Sequence, residues 1–109
     1  MSEKIYFGTE KKRYETKGIQ NNVPVEYRFV LWQLIDALND EVGVDYLQVF
    51  KFCSSVESSG NITEKIIHTQ ENPDYSITYE FPIASLRLDA KVYVIDDGEQ
   101  CTMMLAEEY

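Results

Sequence analysis

Only one stretch of this chain repeats its apolar residues at the period of a helix, and nearly every segment after it alternates at the period of a strand. Across residues 24–41, Tyr27, Leu31, Leu34, Ile35 and Leu38 fall on one stripe of a helical wheel, with Glu26, Gln33, Asp36 and Asp40 opposite. Asn22 near the cap, Pro24 as first helical residue and Glu26 just inside are start signals, and Gly43 is a stop. A chain with one such helix cannot make a helical bundle. It must lay that helix on a sheet, so the expected class is α+β: one amphipathic helix packed on a mainly antiparallel sheet of about five strands.

Residues 46–53, 62–70 and 75–81 are rich in β-branched and aromatic side chains, the last run alternating cleanly until Pro82. A Ser-rich loop at 54–61 and a turn at 71–74 separate them. Residues 90–95 and 101–105 flank Asp96-Asp97-Gly98-Glu99, where the Asp-Gly pair marks a hairpin. Residues 13–17 alternate before Gly18 and read as a short first strand. Links this short imply an antiparallel meander. Residues 1–11 show no period and read as a flexible or edge lead, which leaves 12–109 as a single domain.

Two apolar sets have no cover in this scheme. Val25, Phe29 and Trp32 lie on a separate flank of the helix, covered either by loops and the N-terminal lead or by a partner. Tyr46, Phe50 and Phe52 alternate opposite to Leu47 and Val49, so the sheet face away from the helix is expected to collect aromatic side chains. Curling of the sheet or a second copy in a homodimer would cover them.

Composition narrows the function. With 44% apolar and 13% aromatic residues, 109 residues suffice for one core. No apolar run approaches the roughly 20 residues of a membrane span, and the start lacks the apolar core of a secretory signal, so no membrane partner and a cytoplasmic location are expected. Cys53 and Cys101 fit no metal spacing and read as reduced packing residues. The net charge of −9 divides into +2 over residues 1–17 and −11 over the rest. That surface repels a phosphate backbone, so direct nucleic-acid binding is not expected and a basic protein partner fits better.

Catalytic patterns are sparse. His68, the only histidine, lies in a strand-like run and reads as a strand residue facing solvent or hydrogen-bonded to a neighbour. A small-ligand binder or enzyme would have to use it. The turn at 96–99 lacks calcium-loop spacing, and the five glycines are isolated near expected turns instead of forming a phosphate loop. No cofactor, metal or catalytic residue is assigned, and a non-enzymatic role is favoured.

Several runs form a recognisable set: Arg13-Tyr14-Glu15-Thr16-Lys17-Gly18-Ile19, Asp45-Tyr46-Leu47-Gln48-Val49-Phe50, Ile67-His68-Thr69-Gln70-Glu71-Asn72-Pro73, Val94-Ile95-Asp96-Asp97-Gly98 and Met104-Leu105-Ala106-Glu107-Glu108-Tyr109. Over about residues 12–109 the chain resembles the bacterial family catalogued as domain of unknown function 960. The resemblance implies a short acidic protein of low-GC Gram-positive bacteria, their phages and mobile elements, and it assigns no residue a role. Negative charge, the apolar excess on helix and sheet and the absence of catalytic spacing make the expected function a small acidic, non-enzymatic protein-interaction (accessory) module of phage or mobile-element origin, with Phe29, Trp32, Asp96 and Asp97 as partner-binding residues. A DNA mimic that blocks a nucleic-acid-binding protein is the alternative, and it requires carboxylates gathered on one face.

Overall fold

The computed structural model describes residues 6–82, 84 and 86–109. Met1–Ile5 of the lead lie outside the described residues. In chain order the elements are β1 (Lys12–Glu15), α1 (Lys17–Asn22), α2 (Val25–Glu41), β2 (Leu47–Val56), β3 (Ile62–Gln70), β4 (Tyr75–Phe81), β5 (Ala90–Asp96) and β6 (Gln100–Leu105), followed by a 3-10 turn over Ala106–Glu108. The α+β class holds, with a long and a short helix on one sheet of six strands in the order β1-β6-β5-β2-β3-β4. The short first strand expected at 13–17 is β1, and counting it brings the sheet from about five strands to six. Among the described residues no helix is long and apolar enough to cross a membrane.

The helix stripe folds as its period dictates: Leu31, Ile35 and Leu38 are buried, with Tyr27 and Leu34 partly buried against the same core. The start is subtler than the sequence suggested. Residues 17–22 form a helix of their own, because the Thr16 hydroxyl accepts the Ile19 N–H at 3.2 Å and Ile19 is buried. Pro24, having no N–H to continue that ladder, ends the turn and stands as the cap of α2 instead of its first residue.

The pairing is not a simple meander. Each of β2–β3, β3–β4 and β5–β6 is an antiparallel neighbour, but β5 inserts beside β2, Leu47 opposite Ile95 and Phe52 opposite Ala90. The link after β4 returns across the sheet, pinned where Leu88 N–H donates to Glu64 Oε1 at 2.7 Å and Ser54 N–H to Asp89 Oδ1 at 3.1 Å. β1 runs parallel to β6, Arg13 opposite Cys101. That orientation requires a crossover, and the two helices supply it.

The faces of the sheet are the reverse of the expectation. Phe50 and Phe52 point to the helices and are buried with Ile66, Val92, Val94 and Met103, whereas Leu47 and Val49 face away. Alternation separates the two sets without saying which is inside. Burial of the larger aromatic pair, worth roughly 1.5–3 kcal/mol for each side chain, favours the observed choice.

The described part of the N-terminal lead is no loose extension. Phe7 is fully buried in the core although its φ is +58°, a left-handed conformation rare for a bulky residue. Its N–H donates to Asp96 Oδ2 at 2.7 Å, and the same oxygen takes Lys11 Nζ at 2.8 Å. Packing and a charge-assisted hydrogen bond together hold the strained backbone.

Candidate functional site

Both helices cover one face of the sheet; the opposite face carries neither, and among the described residues Tyr109 meets its Tyr93 ring edge-on at 5.6 Å. Register places Leu47 and Val49 of β2, Ile67 of β3, Tyr93 and Ile95 of β5 and Met104 of β6 side by side there, all half-buried. Each half-buried strand side chain rests on its cross-strand neighbours and keeps its outer surface in solvent. At one end of this face a cavity of about 220 Å³ opens between Leu47, Val49 and Thr69, rimmed by Asp45 and Glu71.

The strand residues of this face carry charge opposite to that of the chain. Lys12, Lys51, Lys65 and Lys91 all project from its strands, against Glu80 alone among the acidic strand residues. Lys51 and Lys91 are direct partners on the two central strands, and Lys65 lies diagonally across from Lys51 on β3. Like charges placed directly opposite destabilise a strand pair. Only part of the band is compensated: Lys65 Nζ lies 3.5 Å from Glu80 Oε1, and Lys91 Nζ sits 5.6 Å from the centre of the Tyr93 ring. Among the described residues Lys51 has no carboxylate within ion-pair distance.

The four residues singled out from the sequence part company. Phe29 is 63% exposed on α2, with Val25 one turn before it also exposed. Trp32 is half-buried beneath β1, where its Nε1–H donates to Glu15 Oε2 at 3.0 Å and the Arg13 guanidinium lies 4.9 Å from its ring centre. Asp96 is buried, and its carboxylate is filled by Phe7 N–H, Lys11 and Gly98 N–H, so it has no oxygen to offer a partner. Asp97 is exposed, but its Oδ1 accepts from Glu99 N–H and Gln100 N–H, each at 3.0 Å, which closes the hairpin around Gly98 at φ +103°. Of the four, Phe29 keeps its side chain free and Asp97 keeps only one oxygen.

Two carboxylates on the helical side are likewise engaged, whereas Glu26, Asp40 and Glu41 of α2 are exposed and outside the ion pairs of the described residues. Asp36 forms a two-pronged pair with Arg13, and Glu15 takes both Arg28 and Trp32. The lysine band is not legible in the sequence, since it depends on the register: Lys51 and Lys91 are forty residues apart.

His68 is hydrogen-bonded and fully buried on the helix side of β3. Its ring stacks on Phe50 at 4.2 Å, meets Tyr75 edge-on at 5.4 Å, and places Nε2 at 2.6 Å from Gln48 Oε1. Gln48 Nε2 donates in turn to Gln70 Oε1 at 2.7 Å, and Gln70 Nε2 to the carbonyls of Gly43 and Pro73. Burial pushes the imidazole down to about 4, so it stays neutral and donates from Nε2, leaving Nδ1 without a partner. Glu64 is also fully buried, with Oε2 unpartnered, and burial raises its carboxyl above the usual range. The two groups occupy separate positions on β3, four residues apart, and each is enclosed by the core. Among the described residues no group of three or more His, Cys, Asp or Glu side chains is placed to hold a metal ion.

A family model described as "Staphylococcal protein of unknown function (DUF960)" matches residues 12–108. No curated protein matches the chain. Among solved structures, a protein of unknown function from Enterococcus faecalis is similar over 100% of this chain and 98% of its own, with a TM-score of 0.76 at 23% identity. At that identity the likeness concerns the fold.

Proposed function

Because the chain belongs to the DUF960 family of staphylococcal proteins of unknown function, which carries no activity to transfer, we propose from its own surface that it is a non-enzymatic protein-interaction module whose open sheet face receives an acidic segment of a protein partner. The observation that carries this reading is the Lys51–Lys91 pair. A like-charged cross-strand pair costs the fold stability, and an incoming carboxylate between the two ammonium groups converts the cost into affinity. Leu47, Val49, Ile67, Tyr93 and Ile95 provide an apolar surround that excludes water from such a contact.

Net charge chooses between classes of polyanion. A phosphate backbone longer than the lysine band would run along a molecule of charge −9 and be repelled beyond it, whereas a short acidic segment ends where the band ends. The basic partner suggested by net charge alone would have to dock on the helical side, where Asp36 and Glu15 are already paired with Arg13 and Arg28. The same pairing takes two carboxylates from the face that a DNA mimic would present and leaves it Glu26, Asp40 and Glu41 of α2.

The test is retention of proteins from host lysate by the wild-type chain and by the Lys51→Glu/Lys91→Glu variant side by side. The reading requires a protein held by the wild type, released by salt and lost from the variant. Equal retention by both, or capture of nucleic acid in place of protein, would overturn it.

A further inference from the structure

The sheet has two edges, and they are guarded very differently. At one edge, β1 is four residues long and opens with Lys12-Arg13. Short length and positive charge are two devices that keep edge strands from pairing with other chains. At the other edge, β4 is seven residues long, Tyr75-Ser76-Ile77-Thr78-Tyr79-Glu80-Phe81, with no Lys, no Pro and no bulge, since its register with β3 is unbroken from Glu64 opposite Phe81 to Gln70 opposite Tyr75. Ile77 on this strand is 41% exposed. Alternate residues of an edge strand direct both N–H and C=O outward, and among the described residues nothing pairs with those of β4.

We propose that β4 pairs antiparallel with β4 of a second copy about a two-fold axis through Thr78, joining two six-stranded sheets into one. The strand is complementary to itself in that register. Tyr75 falls opposite Phe81 and Ile77 opposite Tyr79 on the helix side, giving aromatic and aromatic–aliphatic pairs; Ser76 falls opposite Glu80 and Thr78 opposite itself on the open side. No like charges meet, and Glu80 keeps Lys65 of its own chain as counter-ion. All seven residues take part, with about six to eight new backbone hydrogen bonds according to the phase.

The neighbouring registers are worse. A shift by one residue turns every side chain to the wrong face. A shift of two in one direction sets Asp74 against Glu80, and in the other it sets Ser76 against Pro82, which has no N–H to give the ladder. An antiparallel two-fold pairing keeps corresponding faces on the same side of the joined sheet. The helices of both copies therefore share one side, and the two lysine bands share the other.

The experiment is the mass in solution of the full chain by light scattering, for the wild type and for Thr78→Lys. Thr78 is exposed, so the variant should keep the wild-type circular dichroism spectrum, yet it sets two ammonium groups against each other on the axis. The wild type is expected at twice the chain mass and Thr78→Lys at the chain mass. In a second variant, Thr78→Cys, mild oxidation should link the dimer covalently through the axis. A wild type that stays monomeric at roughly 100 μM, far above the Kd of specific dimers of ordinary strength, would overturn the proposal. So would a dimer unaffected by Thr78→Lys and dissociated by Lys51→Glu, which would place the contact on the open face.

Discussion

Lys51 and Lys91 stand directly opposite one another across the two central strands, β2 and β5, on the side of the sheet that no helix covers. Replacing Lys51 by Thr removes the repulsion and retains a good strand former. Urea denaturation of Lys51→Thr should show a gain of about 0.2–1 kcal/mol with an unchanged m-value, while retention of a protein partner falls. A loss of stability would mean that the lysine stem contributes more by packing than its charge costs.

Asp96 ties the N-terminal lead to the hairpin end of β5. Burial raises its carboxyl, but the bonds from Lys11, Phe7 N–H and Gly98 N–H outweigh that effect and hold it below its ordinary 3.8. A depressed carboxylate contributes stability that is fully present above the unfolded value and is lost as pH falls through the folded one. Asp96→Asn keeps one acceptor but loses the charge, and it should cost roughly 2–3 kcal/mol at neutral pH. The deficit should shrink below about pH 3.8, which thermal melts across pH 2.5–7 would reveal.

His68 and Glu64 pull the pH profile in opposite directions. The folded imidazole is lowered to about 4 from 6.5, so its contribution is complete above 6.5 and is lost as pH falls towards 4, at up to about 1.4 kcal/mol per pH unit. His68→Gln should remove that slope. Burial raises the Glu64 carboxyl, so the protonated form favours the fold, and stability from this group is lost as pH rises from 4.5 through the folded value. Glu64→Gln should abolish that loss at the alkaline end of the same series of melts. An unchanged profile in both variants would show that neither group titrates differently in the folded and unfolded chains.

Phe29 and Trp32, three residues apart on α2, should behave unlike one another. Phe29→Ala removes an exposed ring and should shift stability by no more than about 0.5 kcal/mol. Trp32→Phe loses the bond to Glu15 and part of the stack under Arg13, and a cost of about 1 kcal/mol is expected. Equal melting temperatures for the two variants would contradict this ordering.

The parts of the fold legible in the sequence are those decided by near neighbours. The α2 stripe of Leu31, Ile35 and Leu38 is set by a 3.6-residue period, and the β5–β6 hairpin by the conformation that Gly98 permits. What escaped depends on partners far along the chain. β1 takes its parallel place only because β6, about ninety residues later, is there to receive it. Phe50 and Phe52 point inward because Ile66, Val92 and Met103 do so in register, and alternation within β2 says nothing of that. His68 is buried because Gln48 supplies an acceptor from another strand, and Asp96 because Lys11 and Phe7 return to meet it. For the candidate site, each lysine was visible and their adjacency was not.

The parallel pairing of β1 with β6 also governs how the molecule bears tension. One chain end enters at the start of β1 and the other leaves beyond the end of β6, and the two strands point the same way. Once the anchors of Phe7 and Lys11 on Asp96 have yielded, tension along the chain slides these strands past each other lengthwise, so the bonds of the ladder carry load together instead of unzipping in turn. The strands that begin and end the sheet's sequence thus act as a mechanical clamp, and the β4 edge, remote from both ends, stays unloaded until the clamp gives way.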